Sequence, residues 1–204
     1  YNSFIKPSFM ENIKILLLFY LKKIFVHPKT YWFAIQCYRW LSKNNLILGS
    51  SQGEEISTVT KPKNYEKKLG WAQQYLGLKE LKKMDKVLAR RKMNAHMISK
   101  WLKENHKKYV SSEYYENHSW LKYPIRVANR SEFFKRAEKA SISLGDWFIS
   151  PIHPVTTDFQ QWGYSKGCCS VAEKVALELV NVPTDLINMK KLIRFLDEHK
   201  DYLI

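Results

Sequence analysis

Apolar and polar positions change rhythm along this chain, and each change predicts an element. Residues 9–26, FMENIKILLLFYLKKIFV, are apolar on nearly every side, and Ile15 to Leu21 run unbroken until Lys22 and Lys23. The run predicts a helix. It is shorter than the roughly 18–20 apolar residues a membrane span needs, and no small-residue cleavage site follows to make it a signal peptide. A second, aromatic-rich helix is expected after Pro28, in HPKTYWFAIQCYRWLSKNNLIL. Residues 49–64 are polar and loop-like, a domain boundary.

Residues 69–105 hold no proline, and Leu81, Met84, Leu88, Ala95, Ile98 and Leu102 recur at three- and four-residue steps. That pattern predicts one long helix with one apolar stripe, bracing two substructures. Arg91 lies on the stripe and is expected to snorkel or pair. The period then changes to two. Tyr123, Ile125 and Val127 alternate as a strand does. SEFFKRAEKAS reads as a short helix with Ser131 as its N-cap. DWFISPIHPV reads as extended, limited by Pro151 and Pro154. A helix is expected from Ser170 to Pro183, and TDLINMKKLIRFLDEHKDYL closes the chain as another. The pattern predicts a helix-rich α/β chain in three parts: residues 1–60, 61–108 and 109–204.

Composition supports a folded chain. Apolar residues make up 45% and aromatics 14%, enough to bury a core and to exclude disorder. The chain opens on Tyr1, as a processed, truncated or incompletely read end would. The formal net charge is +15, and residues 61–108 alone carry a local net of +11. Such a charge could meet nucleic acid, an anionic membrane surface or a phosphorylated substrate, or could be a solvated helix face. A basic nucleic-acid-binding module stays open as a second alternative, with no finger spacing, aromatic RNP pattern or clear helix-turn-helix in its favour. Residues 9–41 combine Tyr31, Trp32, Tyr38 and Trp40 with Lys22, Lys23, Lys29 and Arg39. They are a candidate membrane-surface contact, the alternative being a helical hairpin packed on protein.

Three cysteines, Cys37, Cys168 and Cys169, form no CxxC pair, so zinc and thioredoxin chemistry have no basis. The odd count suits a reducing compartment, the cytoplasm, with a peripheral position on the inner face of the membrane as the extension of that reading. Ser170 and Glu173 have capping-box spacing. Val171, Val175 and Leu179, with Ala172 and Ala176 beside them, predict a helix that approaches a sheet closely. Cys168 and Cys169 then sit at its mouth, where small apolar residues fit.

GYSKGCCSVAEKVALELVNVPT resembles the C-terminal signature of the DegT–StrS family of sugar aminotransferases, with Ala172, Glu173 and Pro183 matching and Ser170 where proline is usual. ISLGDWFISPIHPV resembles the family's Trp…Pro-Leu-His segment, with Ile152 for leucine and His153 matching. LGWAQQYLGLKELKKMDKVLARRKMNA resembles its long helix through Gln73, Leu76, Gly77, Leu81, Arg90 and Arg91. The resemblance implies the small C-terminal domain of a pyridoxal-phosphate enzyme of fold type I. That domain would have a short sheet, a long bracing helix and an N-terminal helical insertion.

It further implies amino transfer from glutamate to a nucleotide-linked keto-sugar in a homodimer. The cofactor would be bound mainly by a large domain outside this chain. No catalytic residue and no metal ligand is then expected here. The arginine that reaches the partner's cofactor phosphate in the family is replaced by Lys68, with Asn64 and Tyr65 just before it as further cofactor contacts. His153, Tyr164 and Trp147 are the expected substrate contacts. A degenerate, non-catalytic paralogue, membrane-associated or scaffolding, is the alternative.

Overall fold

In a computed structural model the chain is described over residues 4–25 and 66–204, with residues 30, 33, 34, 36, 37, 40, 41 and 44 between them. The expected aromatic-rich second helix and the loop over 49–64 therefore lie largely outside the described residues. The structure divides into two units, Tyr1–Lys83 and Met84–Ile204.

In the first unit, α1 (Phe9–Phe25) starts with a reciprocal capping box. The Ser8 amide donates to Glu11 Oε2 at 2.7 Å, and the Glu11 amide donates to Ser8 Oγ at 3.2 Å. Lys22 and Lys23 occupy the last turn, where cations suit the helix dipole. The next helix, α2 (Trp71–Leu81), follows Gly70, which has no side chain to cap it. Asn12 of α1 supplies the missing acceptor: its Oδ1 receives the Ala72 amide at 3.0 Å. The Gln73 side chain accepts the Gly70 amide at 2.9 Å.

The two helices run side by side in one direction. Asn12 meets the start of α2, and the charge of Lys23 acts on Glu80 near its end. A parallel bridge between Ile5 and Lys67 sets the same register. The hydrogen bond from Lys67 Nζ, and then one from the Ser8 amide, lower the Glu11 carboxyl to about 2.

The predicted long helix is two helices. At Lys82 and Lys83 the ladder tightens, the Lys83 amide reaching Glu80 O at 3.0 Å, and α3 begins afresh as Met84–Glu104. The stripe explains the break. Its first members, Leu81 and Met84, are exposed, so no burial holds the chain straight there, whereas Ala95, Ile98 and Leu102 are fully buried.

The second unit is built on a two-stranded antiparallel sheet, β1 (Lys122–Arg126) against β2 (Leu179–Pro183). Tyr123 faces Val182 and Ile125 faces Val180, and all four are buried. The predicted period-two pattern of β1 is therefore met. Strand β2 falls where a helix up to Pro183 was expected. Helix α5 (Ser170–Glu178) ends at Glu178 and passes directly into the strand. The β-branched Val180 and Val182 alternate with Asn181, which suits a pleated, buried position better than a helix turn.

Helix α4 (Arg130–Lys139) is capped by Asn129, whose side chain accepts the Glu132 amide at 3.0 Å, rather than by Ser131. Helix α6 (Lys190–Glu198) closes the core with Leu192, Phe195 and Leu196. The C-terminal residues are pinned beside β1. Val127 bridges Leu203, and the Ile204 amide donates to Arg126 O at 3.0 Å. Tyr123 crosses this core to Ser99 Oγ at 2.6 Å and accepts the Val110 amide at 3.0 Å, and burial raises its phenol to about 12.

Candidate functional site

Residues 145–155 are tied to the free edge of β2. Gly145 and Asn181 exchange backbone hydrogen bonds at 2.7 and 3.0 Å. The Asn181 side chain donates to Trp147 O at 3.1 Å. Arg130, at the start of α4, spans the same junction, with Nε on Leu179 O at 2.9 Å and an Nη on Asp146 O at 3.1 Å. Its guanidinium lies 4.9 Å from the Phe134 ring centroid, a cation–π distance. Gly145 approaches its partner closely: a Cβ there would stand 3.1 Å from the Asn181 Cβ, a tight contact that one of the two would have to ease.

Beyond this anchor the backbone turns sharply. Phe148 adopts φ 64°, a left-handed conformation that an aromatic residue rarely takes. Only Gly145 pairs as a strand does, so the expected extended segment over DWFISPIHPV is a series of turns. Ser150 closes them by donating to Val155 O. The His153 ring lies 5.9 Å from that of Phe148. Its Nδ1 is shielded from solvent and has no hydrogen-bond partner. A buried ring nitrogen without a partner is costly, and a ligand hydroxyl or phosphate oxygen would satisfy it. Trp147 and Phe148 of the same loop remain 42% and 53% exposed, so Trp147 is not the core residue that its size suggests.

Tyr164 is engaged within the chain. Its hydroxyl donates to Glu173 Oε1 at 2.7 Å, and the Gly167 amide donates to the same oxygen at 2.6 Å. The carboxylate is held low by these two hydrogen bonds, the Gly167 amide first. The phenol is pushed up to about 12, by desolvation and then by its bond to the carboxylate. The Ser170–Glu173 capping box is accordingly not formed. Cys169 is the N-cap, its carbonyl taking the Glu173 amide at 3.0 Å, and Glu173 folds the preceding loop onto the helix instead.

Cys168 and Cys169 are exposed, not packed. Nor does α5 lie down on the sheet with a full stripe: Val171 is 76% exposed, and Ala176 is its one buried residue.

Of the expected cofactor contacts, Asn64 and Tyr65 lie outside the described residues. Lys68 belongs to the first unit, half-buried, its amide bonded to Ile5 O at 2.9 Å. The two residues that the sequence reading missed are Arg130 and Asn181, which hold the histidine loop to the sheet. The signal for Asn181 was a polar residue inside the apolar run LVNVP. Arg130 carried none, because its partners are backbone carbonyls 16 and 49 residues away.

A pyridoxal phosphate site needs a sheltered lysine amine and an acid under the ring nitrogen. Among the described residues no lysine and no acidic side chain is buried. These residues therefore do not fit the reactive end of that cofactor. No group of three metal-ligating side chains occurs among them either, and none of the described helices is long and apolar enough to cross a membrane. Compared with known proteins, residues 48–191 match the model of the DegT/DnrJ/EryC1/StrS aminotransferase family. No curated protein and no solved structure matches.

Proposed function

The chain belongs to the DegT/DnrJ/EryC1/StrS aminotransferase family, and from that premise we propose that it forms the C-terminal portion of a sugar aminotransferase. The complete enzyme would move an amino group from glutamate to a keto-sugar carried on a nucleotide. Members of the family are generally dependent on pyridoxal phosphate, and here the reactive lysine is assigned to a large domain outside this chain. The observation that carries the reading is the family match over 48–191, joined to a loop that holds His153, its Nδ1 unpartnered, against the exposed Phe148 ring.

Each element of the loop then has a use. His153 meets a hydroxyl or phosphate oxygen of the sugar nucleotide. Trp147 offers a broad apolar face on which a sugar or base can rest. Tyr164, engaged with Glu173, shapes the neighbouring turn and fixes the start of α5. Lys68 supplies positive charge toward the cofactor phosphate across a homodimer, as a point charge without arginine's bidentate fork. The three free cysteines suit a reducing compartment, and we place the enzyme in the cytoplasm.

The purified chain alone is expected to show no glutamate-dependent turnover with pyridoxal phosphate. Borohydride reduction in the presence of the cofactor is expected to label its lysines diffusely. Steady turnover, or labelling of one lysine in stoichiometric amount, would overturn the assignment of the amine to another domain. In the complete enzyme, His153→Ala is expected to raise the KM for the sugar nucleotide about tenfold with kcat little changed, the effect of one lost hydrogen bond to substrate. Kinetics unchanged by the substitution would remove His153 from the binding site.

A further inference from the structure

Helix α1 meets α2 along Asn12 and leaves most of its remaining circumference open. At 100° per residue, Phe9, Ile13, Leu17, Leu18, Leu21 and Ile24 fall within one half of the helix, and each is 38% exposed or more. An open apolar face this wide marks an interaction site. Residues 48–191, which carry the family match, do not include it.

Charge identifies the occupant. Lys14 lies within the apolar arc, and Lys22 and Lys23 stand exposed at its C-terminal end. The helix has one acid, Glu11, which is bound to Lys67. Across the described residues of the first unit there are nine lysines and three glutamates. Of those glutamates, Glu80 is likewise engaged, by Lys83. A second copy docked face to face would set Lys14 against a surface with no acid to receive it. An anionic lipid surface receives both features, taking the apolar arc into the acyl boundary and the lysines among the headgroups.

Aromatic residues sit where such a helix would need them. Tyr20 is 42% exposed on the arc, and Trp71 is 46% exposed beside Phe9, ring centroids 6.4 Å apart. With 17 residues, α1 is about 25 Å long, and none of the described helices qualifies as a span. A helix of this length and charge suits a position in the interface rather than across it. We propose that α1 is an interfacial anchor that docks the first unit on an anionic bilayer.

Flotation of the chain with lipid vesicles tests this. Binding is expected to vesicles of phosphatidylcholine mixed with phosphatidylglycerol, to be weaker on phosphatidylcholine alone, and to fall as salt rises. Leu17→Asp, on the open face, is expected to abolish it while circular dichroism keeps the helical signal. Lys14→Gln with Lys22→Gln is expected to weaken binding to the anionic vesicles about 30-fold. If Leu17→Asp unfolds the unit, the lysine pair still decides the matter. No flotation, equal binding to both vesicle types, or binding indifferent to the lysine pair would each overturn the proposal. So would sedimentation showing a dimer that Leu17→Asp splits, with no binding to vesicles.

Discussion

Phe133→Ala is expected to lower the unfolding free energy of the second unit by about 3–5 kcal/mol. Phe133 is fully buried on α4 and meets Phe195 of α6 edge to face, ring centroids 5.2 Å apart, with Tyr202 at 6.3 Å. Truncation removes the transfer energy of the ring and leaves a cavity in a core whose neighbours are held by the sheet and the pinned C-terminus. Against a typical total of about 5–15 kcal/mol, that is a third or more of the stability.

The consequence reaches the histidine loop. Arg130, three residues earlier on the same helix, holds Asp146 and Leu179. Loosening α4 should therefore release residues 145–155 as well. Urea unfolding followed by tryptophan fluorescence measures the first effect, and amide exchange at Gly145 and Asn181 the second. Phe133→Leu, which keeps most of the volume, is expected to cost under about 1.5 kcal/mol. A loss below about 1 kcal/mol for Phe133→Ala would mean that this ring pair does not close the core.

How much of this could be read in advance depended on the range of the forces involved. Helix α1 and strand β1 were legible, because each is set by the spacing of its own apolar residues: Phe9 to Phe25 for the helix, Tyr123, Ile125 and Val127 for the strand. The start of α1 was equally open to reading, since Ser8 and Glu11 carry the capping-box spacing in plain view. The passage from helix to strand at Leu179 was not. The run from Val171 through Leu179 keeps helical spacing, Val180–Val182 is too short to show where a strand begins, and pairing with β1 decides the matter.

The helix break at Lys82 and Lys83 was hidden for a related reason. The stripe continues through Leu81 and Met84, but nothing is there for them to pack against. For the site, His153 was reached through resemblance to a family motif, not through periodicity. The anchors Arg130 and Asn181 act on carbonyls brought near by the sheet, and no local pattern encodes that. The same holds for Glu173: its spacing from Ser170 was right for a capping box, but Tyr164 and the Gly167 amide compete for the carboxylate and win.

Gly70→Ala is expected to destabilise the first unit by about 2 kcal/mol, the upper end of a lost helix cap, because Asn12 must withdraw from the Ala72 amide. The backbone does not forbid a side chain, since Gly70 has φ −71° and ψ 163°, open to any residue. Space does: a Cβ would lie 2.2 Å from Asn12 Oδ1 and 2.9 Å from its Cγ. Asn12 is 2% exposed and fixed at its other end by donating to Ser8 O at 2.8 Å. It can move aside only by giving up the Ala72 amide and the packing that holds α1 to α2.

The effect is thus predicted to run through one partner, which a double-mutant cycle can show. Asn12→Ala alone should cost about 1–2 kcal/mol for the cap. In that background Gly70→Ala should cost only a few tenths more, because the atoms it would strike are gone. Helical circular dichroism during urea unfolding reads all four proteins. If Gly70→Ala costs as much without Asn12 as with it, the close approach of these two residues is not what joins the helices.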